Sequence, residues 1–472
     1  MNFISFGFLG FLGAVYAAHW ALPQERARKW LLAVASYVFY AAWDWRFCFL
    51  MLFVSINAFS AGHLVSSFEH PRRKVVLAAS IVIDLVVLAF FKYYNFFSTS
   101  AAAALGNIGL AGNLPILQIV LPIGISFYTF HAISYVVDIY RGKVSAETSF
   151  VNVALYISFF PQLIAGPIVR ATFIMPQIQR RRPFLRSQQA IGIRLLLLGF
   201  VYKAVIANML ADVADPVFGH PRQYDAHALL TAAVAFYGQI YFDFAGYSSM
   251  AIGTARLFGY RFPRNFDYPY RAASVTEFWR RWHMSLSFWL RDYLYIPLGG
   301  SRVGQLAAYR NLMTTMLLGG LWHGAAWNYV IWGLLHGLGL CVNKVWAGVR
   351  QHHLPAAWNW QTGWSRTLAV VLTQLWIMIA WVFFRCDSVT EAINVLTGIV
   401  GLHAQPGATV APVELWVLAI IAIDHALGSR TLRSSLPRGL ARALSWSGVG
   451  MLLALGLATM PLVQRPFIYF QF

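Results

Sequence analysis

Long apolar runs recur along almost the whole chain, and they fix what it can become. Val75–Phe97, Ala190–Val213, Leu229–Phe258, Thr367–Phe384 and Leu444–Val463 each approach or exceed the roughly 20 residues that a helix needs to cross a bilayer. Inside lipid every backbone N–H and C=O must be satisfied within the segment, so such runs become helices. Of 472 residues, 59% are hydrophobic and 11% charged, against about a quarter charged in soluble domains. The expectation is an all-α polytopic integral membrane protein.

The chain carries 36 Lys and Arg against 17 Asp and Glu, a net charge of +19. The positive-inside rule accounts for that excess through cytoplasmic loops, and no nucleic acid is expected as a partner. Met1–Leu22 reads as a retained first helix with its N-terminus outside, because its basic flank (Arg26, Arg28, Lys29) follows the run. Alternating basic and non-basic loops then give ten crossings in one transmembrane domain, 1–472, with both termini outside. Within that count a fifth helix runs from Ile116 to Tyr140. Phe150–Arg170, broken by Pro161, Gly166 and Pro167 and basic at both ends, reads as re-entrant. Cys48, Cys341 and Cys386 lack metal or disulfide spacing.

Two polar islands interrupt the apolar chain. Arg310–Trp346 centres on Leu-Leu-Gly-Gly-Leu-Trp-His323-Gly-Ala-Ala-Trp-Asn328, with no acidic residue. Its basic ends suggest a hairpin or buried pair of helices. A histidine at membrane depth is a candidate functional residue, and Gly319, Gly320 and Gly324 let other backbone or a ligand approach it. An imidazole titrates near neutrality, so His323 suits a general base in acyl transfer.

The second island is Thr276–Tyr293. At helical spacing Phe278, Trp282, Trp289 and Tyr293 form an aromatic stripe, and Arg280, Ser287 and Arg291 a polar one, with Trp279 and His283 between. It reads as an interfacial helix with snorkelling arginines and, compatibly, as a wall for an anionic, aromatic-stacking ligand such as a nucleotide-bearing thioester. Trp322 and Asn328 join that substrate-binding set. His283, His323 and His336 have no carboxylate partner nearby in sequence, so no metal is expected, and His336 reads as a packing residue. Asp84, Asp138, Lys203, Asp212, Asp243 and Asp424 read as structural hydrogen bonds or ion pairs, or as a proton relay.

Leu-Gly-Gly-Leu-Trp-His323-Gly, the Phe278–Tyr293 block, Gln162-Leu-Ile-Ala-Gly-Pro-Ile, Pro122-Ile-Gly-Ile-Ser-Phe-Tyr and Tyr241-Phe-Asp-Phe-Ala-Gly-Tyr-Ser together resemble the membrane-bound O-acyltransferase (MBOAT) family. The likeness is to its bacterial branch of alginate-acetylating and teichoic-acid-D-alanylating membrane proteins. It implies a ring of transmembrane helices around a thinned core with buried and re-entrant helices and a tunnel, with His323 catalytic and His283 the second histidine. Leu298-Gly-Gly-Ser-Arg302 is closer to the acetylating branch, whereas Ser249 stands where those members tend to carry an acid. The tail Phe467-Ile-Tyr469-Phe-Gln-Phe472 resembles a C-terminal motif whose tyrosine receives the acyl group; an aromatic anchor at the outer interface is the other reading.

The resemblance thus implies a bacterial inner-membrane acetyltransferase with no bound cofactor. Its donor is cytoplasmic acetyl-CoA, and Tyr469 hands the acyl group to a periplasmic acyltransferase or esterase-like partner acting on a polysaccharide. D-Alanyl transfer from an acyl carrier protein is the second reading, and a transporter that makes no bond the third.

Overall fold

In the computed structural model, residues 3–110, 114–164, 166–353, 363–402 and 407–428 are described, with 448, 450, 454, 467 and 468; side chains of 351–353 are excluded. Among them the chain is helical, with no strand beyond an isolated bridge between Tyr224 and Ala408. Six helices are long and apolar enough to cross a membrane: Phe47–Ser67, Arg72–Asn107, Arg186–Gly219, Ala226–Leu257, Trp327–Arg350 and Gly363–Arg385. On the second of these Val75, Val82, Val86 and Phe90 are exposed, as expected of a surface solvated by lipid tails. The chain is a multi-pass membrane protein.

Two compact units are distinguished, residues 1–196 with 248–263 and residues 197–247 with 264–472. In the first, the helix Ile125–Tyr140 is buried from Ile125 to Ile139. A helix apolar or weakly polar all round can only be stable with neighbours on every side. It starts later than the Ile116 expected from hydropathy. Pro122 and Gly124, the latter at φ +76°, break the run, and only Gly124 tolerates that conformation cheaply.

The expected break after Phe150 is present. Phe150–Ser158 and Phe160–Leu163 are separate buried helices. Pro161 brings no N–H to the junction, and the Phe160 N–H donates instead to Ser36 Oγ at 3.0 Å, itself bonded to Leu32 O at 2.7 Å. The irregular backbone is thus satisfied by protein.

The second unit holds the paired helices Gln305–His323 and Trp327–His353, the arrangement anticipated for Arg310–Trp346. A Cβ on Gly320 would stand 2.2 Å from Tyr329 O, and one on Gly333 would stand 2.4 Å from Met316 O. The two backbones therefore touch where the glycines face each other.

Lys203 and Asp243 form an ion pair with both side chains 3% exposed. Asp424 accepts from Tyr202 and Tyr241 and contacts His425 Nδ1 at 3.0 Å; Asp84 accepts from Asn57 at 2.9 Å. These four hold helices together.

Candidate active site

Thr276–Tyr293 is not the single helix its periodicity suggests. A first helix, Val275–Trp279, is capped by Ser274 Oγ, which accepts from Glu277 N–H, while the Glu277 carboxylate reaches back to the Ala273 N–H. The chain then turns, with His283 at φ +40° and ψ +51°, before a second helix, Met284–Leu290. The turn is held by Asn265: its carbonyl accepts from Met284 N–H at 2.8 Å, and its side-chain oxygen accepts from Ser285 N–H at 3.2 Å and Ser285 Oγ at 2.8 Å. Local tethering outweighs periodicity here.

The same oxygen lies 3.1 Å from His283 Nδ1. Because it already receives a backbone N–H, it is the acceptor, and Nδ1 carries the ring proton. Nε2 therefore presents a lone pair, with no hydrogen-bond partner among the described residues. Burial holds the imidazole neutral, its pKa pushed down to about 3.

His323 closes the Gln305–His323 helix, and its ring is buried among Trp322 (4.9 Å between centroids), Trp332 (4.8 Å) and Phe384 (5.4 Å). His283 is 6.4 Å away. Gly324, extended, has the Tyr329 ring against it, 2.1 Å from where a Cβ would sit. The glycines around His323 thus admit protein backbone and a tyrosine ring.

A cavity of about 1450 Å³ adjoins this cluster, and Trp279, Arg280, Ser287 and Arg291 of the expected substrate-binding set line it. Lys344, Arg350 and Arg366 add positive charge against one carboxylate, Glu277. Arg291 pairs with Asp292 and Arg366 with Glu277. Among the described residues no carboxylate lies within ion-pair distance of Arg280, Lys344 or Arg350.

Neither histidine of the pair lines this cavity. Trp279 does, 5.8 Å from Trp332, whose ring contacts His323. His336 accepts the Trp279 indole N–H on Nδ1 at 3.2 Å and so orients a wall residue.

Three other expected residues stand elsewhere. Trp282 packs against Phe278 and Trp381, Trp322 packs against both histidines, and the Asn328 amide donates to the carbonyls of Phe383 and Cys386. Tyr469 lies outside the described residues. The two residues before it are described: Phe467 is buried 4.5 Å from Tyr247 and 5.7 Å from Phe244, and the Ile468 N–H donates to Asp243 at 2.9 Å. Phe244 in turn packs 4.6 Å from His283. Sequence reading passed over Asn265, Trp332 and Phe384, which no local pattern marks.

Residues 143–390 match the membrane-bound O-acyltransferase family. The chain is 42% identical over 398 residues to the probable alginate O-acetylase AlgI of Pseudomonas aeruginosa, covering 83% of this chain and 73% of that protein. It is 36% identical over 430 residues to the peptidoglycan O-acetyltransferase of Helicobacter pylori, covering 85% and 78%. A teichoic acid D-alanyltransferase of Streptococcus thermophilus is 30% identical over 289 residues, 56% of this chain and 68% of the relative. With its helical architecture and buried histidine pair, the chain belongs to the membrane-bound O-acyltransferase family and is an O-acyltransferase.

Proposed function

We propose that the chain moves an acetyl group from cytoplasmic acetyl-CoA across the bacterial inner membrane for O-acetylation of an extracytoplasmic polysaccharide. The observation that carries this reading is the arginine-rich cavity beside the histidine pair. Its cations suit the phosphates of a nucleotide thioester, and Trp279 offers a stacking face. The higher identity to O-acetylating relatives than to the D-alanylating one favours acetyl as the group moved.

In the proposed reaction His323 takes the proton from the acceptor hydroxyl as its oxygen attacks the thioester carbonyl. The C–S bond then breaks, and the imidazolium returns the proton to the leaving thiolate. His323 ends its helix, where the carbonyl dipoles favour the positive charge the ring acquires. His283, protonated on Nδ1, presents an acceptor Nε2. Because the attacking hydroxyl gives its single proton to His323, this Nε2 can accept only from another donor of the bound substrate, and it cannot donate to the oxyanion.

Tyr469 is the proposed acetyl carrier toward a periplasmic acyltransferase or esterase-like partner. The seating of Phe467 and Ile468 against Phe244, Tyr247 and Asp243 supports a tail that enters the protein.

The test is mass spectrometry of purified protein after exposure to labelled acetyl-CoA. An ester on Tyr469, absent in a folded His323→Ala variant, is the expected result. Undiminished transfer in His323→Ala removes the general base and the reading with it.

A further inference from the structure

The first unit carries a second basic recess. A cavity of about 540 Å³ is lined by Trp20, Arg28, Arg181, Arg182, Pro183 and Phe184. We infer that it binds the phosphate of an anionic phospholipid at the membrane surface.

Three observations point there. Arg28 is 8% exposed, yet no carboxylate lies within ion-pair distance of it among the described residues. Its Nε donates to Leu22 O at 2.7 Å and its Nη1 to Arg182 O at 3.4 Å. Those bonds use two of five guanidinium donors, and neither partner carries a negative charge.

The walls are also fixed in advance. The Arg28 guanidinium lies 5.0 Å from the Trp20 ring, Trp20 Nε1 donates to Leu257 O at 3.0 Å, and Arg182 Nε donates to Gln177 O at 2.7 Å. An arriving anion meets oriented donors instead of ordering them. Across 19–30 and 176–190 the sole acid is Glu25, against Arg26, Arg28, Lys29, Arg180, Arg181, Arg182 and Arg186.

The rim, finally, is greasy. Phe184 packs 5.1 Å from Trp20 and is 50% exposed, and Leu185, next to it in the chain, is exposed as well. A free phosphate gains nothing from those side chains, whereas a lipid puts its acyl chains against them and its phosphate on the arginines.

Native mass spectrometry of the full chain, titrated with phosphatidylglycerol and with phosphatidylcholine of the same acyl chains, tests this. The exposed Arg181 makes none of the bonds that brace the recess, so Arg181→Glu leaves its frame intact; Arg222→Glu, on an exposed loop of the other unit, is the control. Phosphatidylglycerol is expected to bind more tightly than phosphatidylcholine, and Arg181→Glu to weaken it about tenfold while Arg222→Glu does not. Equal retention of the two lipids, or equal weakening by both variants, overturns the inference. Displacement by millimolar inorganic phosphate, sensitive to Arg181→Glu, replaces the lipid with a free-anion site.

Discussion

His283 Nδ1 lies 3.1 Å from Asn265 Oδ1, an oxygen already committed to Ser285 N–H, so the tautomer of a buried histidine is set from a loop 18 residues upstream. Outer residues that orient an imidazole typically matter 10–100-fold in metal sites, and a comparable loss is expected here. Asn265→Ala should lower acyl transfer about tenfold or more while the protein still folds in detergent. Asn265→Asp, which keeps the acceptor, should recover part of the loss. Steady-state kinetics of the two variants decides; equal activity in both would mean the tautomer is immaterial.

His283 also makes a prediction about pH. Its folded pKa is lowered by burial to about 3 from an ordinary 6.5, so the unfolded chain binds the proton first. Stability contributed by the neutral ring is complete above pH 6.5 and declines as pH falls toward 3. Thermal unfolding between pH 7 and pH 4 should show a steeper loss in the parent protein than in His283→Gln. Parallel curves would contradict it.

The contact of the two site helices is testable by adding one methyl. Gly320→Ala places a carbon 2.2 Å from Tyr329 O, whereas Gly319→Ala meets only Leu290 Cδ1 at 3.2 Å. Overpacking of backbone costs about 1–3 kcal/mol, so Gly320→Ala should lower the melting temperature and the activity together. Gly319→Ala should leave both near the parent values.

The buried Lys203–Asp243 pair should behave as a unit. Removing one partner leaves a charge without compensation and costs about 3–5 kcal/mol. Lys203→Met alone should therefore destabilise more than Lys203→Met with Asp243→Leu, measured by thermal unfolding in the same detergent. Equal losses would show the two charges are not coupled.

If the cavity holds the donor as proposed, its binding can be separated from chemistry there. Arg350→Glu inverts a cation of the cavity wall that has no ion-pair partner among the described residues. The expected effect is a KM for acetyl-CoA raised about tenfold with kcat little changed, the mark of lost uniform binding. A fall in kcat at unchanged KM would place Arg350 outside the donor site.

Much of this was legible in the sequence because the membrane leaves few choices. Apolar runs of sufficient length had to become helices, and the break at Pro161 followed from a missing N–H. Trp279, Arg280, Ser287 and Arg291 were grouped by helical spacing and do share one cavity, although the helix carrying them is interrupted. That interruption, and the roles of Asn265 and Trp332, depend on contacts between residues distant in sequence, which no periodicity encodes. Asn328 illustrates the reverse. It stands five residues from His323, yet its amide is spent on the carbonyls at the end of Gly363–Arg385.

The left-handed backbone at His283 has an evolutionary corollary. A side chain other than glycine held there costs on the order of 1 kcal/mol, so His283→Gly or His283→Asn relaxes the turn while discarding the imidazole. Selection for heat resistance alone should enrich those replacements among inactive survivors, and selection for acyl transfer should purge them. Position 283 is where thermal robustness and turnover pull in opposite directions.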